Sequence, residues 1–195
     1  MAEEDRRRWD EKHAAAAAAP AEAPPFLAAI DALLPRRGRA LDVACGRGGA
    51  AVALAARGLL VEAVDVSLVA LGAARDLATS RGVGRGVRTI VRDFDEGIPA
   101  DWGPYDLVLC VHFHAPSLWP VLRRVLRAGG VLAIETLTTT NADLGLGGPS
   151  RRYLVEPGGL RAAAEGLEIL LDEEGLADGR HRARLVARRP ARGTR

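Results

Sequence analysis

An α/β fold built on a mostly parallel, seven-stranded sheet is what this sequence predicts, and three features predict it. Short apolar runs alternate with segments of helical periodicity, the signature of βαβ units. A glycine-rich turn follows the first run directly and opens the next helix. The last two runs are joined by a turn instead of a helix, so they close the sheet as an antiparallel hairpin.

The elements follow in order. Phe26, Leu27, Ile30, Leu33 and Leu34 recur at helical spacing until Pro35 ends the run. Residues 40–44 read as a strand, 49–57 as a helix and 60–65 as a strand. Residues 67–80 read as a helix with Ser67 as its N-cap, and 87–92 as a third strand. The third crossover is reduced, because Gly97, Pro99, Gly103 and Pro104 leave little room for a helix before the strand 106–111. A helix over 116–126 and a strand over 131–136 follow. A short helix over 159–165 precedes strands at 167–171 and 181–187, with the turn placed through 175–179.

The 195 residues suit one domain, assigned to 26–190, with an N-terminal arm at 1–25 and a flexible tail at 191–195. The composition, 48% apolar and 27% charged, argues against a disordered chain. No run approaches the roughly 20 apolar residues of a membrane span, and Ala14–Ala19 is too short for a secretory core. Two cysteines, Cys45 and Cys110, make no disulfide framework, so a cytoplasmic protein is expected. A formal charge of +2 is too mild to demand nucleic acid, and the arginines near both ends read as solvated.

The chemistry is concentrated at strand ends. In Ala40-Leu-Asp-Val-Ala-Cys-Gly-Arg-Gly-Gly-Ala50, Gly46 and Gly48 let backbone N–H groups approach a ligand closely. Asp65 ends the second strand, where a carboxylate can accept both hydroxyls of a ribose. Gly46-x-Gly48-x-x-Ala51 also satisfies a dinucleotide fingerprint, but Asp42, four residues before Gly46, would repel a pyrophosphate. A sulfonium cofactor with an ammonium group suits that acid better. Asp42 as a mere brace for the turn is the competing reading.

These residues resemble the class I S-adenosylmethionine-dependent methyltransferases, whose acid-x-Gly-x-Gly-x-Gly pattern appears here as Asp42-x-Ala44-x-Gly46-x-Gly48. The resemblance spans about residues 38–136 and implies that family's Rossmann-like fold. Ala44 replaces the usual first glycine, tolerable if its φ is negative. Asp65 corresponds to the ribose-binding acid, and Asp93 with Phe94 to the pair that meets the adenine edge and ring. The resemblance therefore implies S-adenosyl-L-methionine as cofactor, with Cys45, Val66 and Val111 beside those positions as further lining. Tellurite-resistance and thiopurine-type methyltransferases share features with Arg8-Trp9-Asp10, Glu135-Thr136 and the segment from Tyr153. In them a Trp-Asp-x-x-Tyr arm folds over the cofactor; His13 takes the place of the tyrosine.

Methyl transfer from a sulfonium is an in-line displacement that needs a base only if the acceptor must lose a proton. His112 and His114, in the loop after the fourth strand, are the candidates for base or acceptor orientation. They lack a third ligand at metal spacing, so no metal is expected. That loop has neither an Asp/Asn-Pro-Pro-aromatic motif nor a Pro-Cys nucleophile. A small-molecule acceptor, with a soft sulfur, selenium or tellurium nucleophile, is the leading expectation. An RNA methyltransferase and a non-catalytic cofactor-binding protein are the alternatives. Arg151 and Arg152, in a glycine- and threonine-rich stretch, are candidates to attract an anionic acceptor.

Overall fold

The computed structural model describes residues 2–16 and 21–191. Seven strands form one sheet: β1 (Gly38–Val43), β2 (Leu59–Asp65), β3 (Val87–Val91), β4 (Tyr105–Val111), β5 (Leu126–Leu137), β6 (Glu168–Ala177) and β7 (Arg180–Arg188). Their order is β3-β2-β1-β4-β5-β7-β6. The first five pair in parallel, and β7 is antiparallel to both β5 and β6. The helices are α1 (Ala2–Ala15), α2 (Pro25–Ala29), α3 (Gly49–Ala56), α4 (Leu68–Ser80), α5 (Trp119–Arg124) and α6 (Thr139–Asp143). The expected fold class and closing hairpin are both present.

Both faces of the sheet are covered, as a parallel sheet requires. Leu41, Val43, Val108, Cys110, Leu132 and Ile134 pack into one core with Leu122 of α5. Ala40, Val61, Ala63, Leu107 and Leu109 pack into the other with Phe26, Ile30 and Leu54. The period-two alternation along β1 and β4 divides the side chains between these layers.

Four boundaries differ from the sequence expectation, each for a local reason. The 26–34 run breaks at Ile30 into α2 and a 3-10 turn, Asp31–Leu33. There Arg57 donates to the Asp31 carboxylate and to the carbonyls of Asp31 and Pro35. The 116–126 segment is a 3-10 turn followed by the short α5, and β5 already starts at Leu126. Residues 159–164 form a 3-10 helix. The C-terminal hairpin turns on two residues, Asp178 and Gly179, with φ of 50° and 69°. Positive φ at both central positions suits a primed turn, so β6 and β7 run longer than expected.

Ser67 caps α4 as expected, its Oγ accepting the Ala70 N–H at 3.0 Å. The reduced third crossover holds only the 3-10 turn Phe94–Glu96. The arm is largely helical, with Glu3, Glu4 and Asp5 in its first turn and Lys12 and His13 in its last, matching the helix dipole. Met1, residues 17–20 of the arm and residues 192–195 of the tail lie outside the described residues.

Candidate active site

The sheet order reverses between β1 and β4, and a ligand crevice is expected at the carboxyl ends of such strands. A cavity of about 860 Å³ lies there. Asp42, Ala44, Cys45, Gly46, Asp65, Val66, Asp93, Phe94, Val111, His112 and His114 all line it.

Gly48 is not among the lining residues. It takes φ +82° as the residue before α3, and a Cβ there would come within 2.6 Å of the Ala74 Cβ. Its glycine serves helix packing against α4. Gly46, with φ +52°, does face the cavity.

Ala44 departs from expectation. Its φ is +55°, the left-handed region, so it occupies a glycine-type conformation without being glycine. That conformation costs an L-residue about 1–2 kcal/mol. Ala44→Gly is expected to stabilise the fold by about 1 kcal/mol, raising Tm by roughly 2–4 °C. An unchanged or lower Tm in thermal denaturation would show that the Ala44 methyl contacts outweigh the strain.

The two central acids divide the work differently from the sequence reading. Asp65, 6% exposed, accepts the Gly46 N–H at 2.8 Å on Oδ2 and the Ser67 N–H at 2.9 Å on Oδ1. The brace of the turn is therefore Asp65. Asp42, 2% exposed, leaves Oδ2 without a hydrogen-bond partner among the described residues. Burial, reinforced by the charge of Asp65, pushes its pKa up to about 7. A buried carboxylate oxygen without a donor costs free energy unless a ligand supplies one. Asp93 accepts the Asp95 N–H at 2.9 Å, and the Phe94 ring packs 5.7 Å from that of Phe113.

The other side of the cavity is built by β4, β5 and β7. His112 has φ +59°, and its N–H donates to the Glu135 carbonyl. Its Nε2 lies 2.9 Å from Arg182 Nη1 and 3.7 Å from Glu135 Oε1. Arginine only donates, so Nε2 accepts and His112 is neutral with its proton on Nδ1. Burial lowers its pKa, with Glu135 opposing and Arg182 adding to the shift. His114 packs edge-on to Trp119, and burial lowers its pKa too. Glu135, 2% exposed, also accepts from Arg184 Nε at 2.7 Å. Both thiols stay protonated: burial raises Cys45, and pushes Cys110 up to about 12. Among the described residues no group of three His, Cys, Asp or Glu is placed to hold a metal.

Helix α1 lies across the cavity, contributing Asp5, Arg8, Trp9, Lys12 and His13 to its wall. Asp10 Oδ1 accepts the Ser67 hydroxyl at 2.5 Å and the Val69 N–H at 3.2 Å, which ties α1 to the start of α4. Arg8 donates to the Tyr153 hydroxyl, and Trp9 meets the Tyr153 ring edge-on. His13 stacks on Trp9, and its pKa is lowered chiefly by burial.

Residues 40–130 match a sequence family described as a methyltransferase domain. Over those residues, just under half of the chain, the sequence is similar to methyltransferase domains. That similarity indicates S-adenosylmethionine as the cofactor. Among solved structures, magnesium protoporphyrin IX methyltransferase (ChlM) from Synechocystis with bound SAH is 20% identical, with a TM-score of 0.63. That alignment covers 95% of this chain and 83% of the other. TehB from Haemophilus influenzae is 18% identical with a TM-score of 0.67, covering 85% of this chain and 61% of TehB. A protein from the conversion of a disulfide into a thioacetal during echinomycin biosynthesis is 24% identical, with a TM-score of 0.68 and coverage of 89% and 84%. At these identities the likeness shows the fold alone. No curated protein matches the chain significantly.

The cavity suits that cofactor on its own chemistry. The partnerless Asp42 oxygen favours a ligand with an N–H donor and positive charge, and the cavity wall near it carries further acids. Sequence reasoning did not single out Thr136, Arg180 or Arg182 as lining residues. The signal was the period-two series Arg180, Arg182, Arg184, which puts three arginines on one face of a strand. Arg151, by contrast, is exposed and pairs with Asp143 at 2.6 Å. Arg151 does not line the cavity, and the Arg152 side chain lies outside what the structure describes. No helix among the described residues is long and apolar enough to cross a membrane.

Proposed function

We propose that this methyltransferase domain acts on a small-molecule acceptor, with a soft sulfur, selenium or tellurium nucleophile as the favoured class. The observation that carries this reading is the cavity beneath α1: about 860 Å³, roofed by Trp9 and His13 and flanked by Tyr153. Such a volume falls in the range of small-ligand sites, and the roof obstructs entry of a polymer.

The cofactor supplies a methyl group already activated on a sulfonium. The residues around it bind, align and exclude water. In this reading Asp42 faces the ammonium group, Asp65 the ribose, Asp93 the exocyclic amine and Phe94 the adenine ring. Asp65 would share oxygens already committed to Gly46 and Ser67, using its remaining lone pairs. Trp9, packed with Lys12 and Tyr153, keeps water from the reacting end.

Asp42 gives the site a pH signature. Its folded pKa is raised, so without ligand its contribution to stability is full below about pH 4 and is lost as pH rises toward 7. A cationic ammonium favours the ionised form, so S-adenosylhomocysteine should bind more tightly as pH rises from 6 to 8. Calorimetry on wild type and Asp42→Asn checks this; an equal slope in both would exclude Asp42 as the source.

The acceptor is tested by incubating the protein with radiolabelled S-adenosylmethionine and a panel of thiols, selenite, tellurite and structured RNA. Label in a small acceptor is the expected result. Label in RNA alone would overturn the reading.

A further inference from the structure

The acids of the cavity wall all lie on one side of it. The six that line it, Asp5, Glu22, Asp42, Asp65, Asp93 and Asp95, fall in the first half of the chain, where Arg8, Lys12, Arg47 and Arg92 also line the wall. The wall contributed by residues 111–182 contains no acid and carries Arg180 and Arg182. Glu135 lies behind Arg182 and is shared with Arg184, so two guanidinium groups face one carboxylate there. Arg182 Nε is buried with no acceptor among the described residues. Arg180 lies over Gly147 and Gly148 and donates to the neutral Leu146 carbonyl, and it forms no ion pair among the described residues.

His112 belongs to the same wall, and its Nε2 is occupied by the Arg182 N–H. A ring nitrogen that accepts from arginine is not available to remove a proton from an acceptor. The other nitrogen, Nδ1, carries the proton and can only donate.

We infer that the acceptor binds as an anion, ionised before it enters, with Arg180 and Arg182 holding its charge and His112 acting as a hydrogen-bond donor rather than as a base. This rests on the methyltransferase reading and narrows its substrate class. The nucleophile's lone pair forms the bond to the methyl carbon as the carbon–sulfur bond breaks and its electron pair returns to sulfur. No proton changes hands, so no base is required. The buried acids Asp42 and Asp65 would stabilise the ammonium and sulfonium charges, and Arg180 and Arg182, on a wall without acids, the opposite charge approaching them. In this scheme Arg180, Arg182 and His112 contact the acceptor, and Glu135 is the positioning residue that holds Arg182.

The test is nitrogen NMR on ¹⁵N-labelled protein, free and saturated with S-adenosylhomocysteine, at pH 8. His112 is expected to show a protonated Nδ1 and an unprotonated Nε2 in both states, with Nε2 changing in Arg182→Lys. Hydrosulfide or thiophenolate should then produce saturable shifts at His112, and neutral phenol should bind at least about tenfold more weakly. Arg180→Gln, which leaves Glu135 and its partners intact, should weaken thiolate binding by about tenfold. A proton on Nε2, phenol binding as tightly as the thiolates, or no response to either thiolate would overturn the inference. Failure of S-adenosylhomocysteine to bind would strike the cofactor reading instead, and the free-protein tautomer still tests the network.

Discussion

Asp65→Ala is expected to weaken S-adenosylhomocysteine binding about a hundredfold and to destabilise the fold by about 2–4 kcal/mol. Both oxygens of this buried carboxylate are engaged, one by the Gly46 N–H and one by the Ser67 N–H. Removing it orphans the buried Ser67 N–H and the half-buried Gly46 N–H, the buried one costing about 1–3 kcal/mol and the other less. The glycine turn would also lose its tether to the end of β2, so the effect on ligand binding combines a lost contact with a misplaced loop. His112→Ala should affect cofactor binding much less, because that side chain is 54% exposed and lies on the opposite wall. Calorimetry for binding and urea denaturation for stability separate the two effects. A larger binding loss in His112→Ala than in Asp65→Ala would mean that the nucleoside site is placed at the wrong end of the cavity.

Glu135→Leu is expected to cost about 3 kcal/mol of stability. The carboxylate sits between Arg182 and Arg184, whose side chains are only 16% and 19% exposed. Removing one member of a buried charge cluster leaves the others desolvated and uncompensated, which costs more than the intact cluster contributes. Because Leu fills similar volume, the loss would report charge and not packing. The same substitution frees Arg182 from its anchor, so the His112 ring should lose its fixed orientation. Urea denaturation checks the stability. An unchanged midpoint would mean that solvent already screens the cluster.

Much of this molecule was legible because it depends on local chemistry. Ser67 announces the start of α4, and the prolines and glycines between Arg92 and Tyr105 announce a crossover without a helix. Asp42, Asp65 and Asp93 were legible as strand-end acids because strand ends can be read from apolar runs. Their division of labour was not, since which carboxylate meets the Gly46 N–H depends on how β2 is registered beside β1. The left-handed Ala44 was missed because alanine gives no hint of positive φ. The Asp178-Gly179 turn carried a recognisable hairpin signal that the wider glycine-rich stretch obscured. Arg180 and Arg182 reach the site only through antiparallel pairing of β7 with β5, which sets Arg184 opposite Glu135 and Arg182 opposite Leu137. Nothing within nearby sequence reveals that contact. The helical arm is similar: Asp10 accepts the hydroxyl of Ser67, the cap of α4, across 57 positions of sequence.

The central claim is that the glycine turn, Asp42 and Asp65 form a nucleoside site for a sulfonium cofactor rather than for a dinucleotide. Isothermal titration calorimetry of the wild-type protein with S-adenosylhomocysteine and, separately, with NAD tests it most directly. Saturable one-to-one binding of S-adenosylhomocysteine with no heat from NAD is the predicted result. Binding of NAD without binding of S-adenosylhomocysteine would contradict the account.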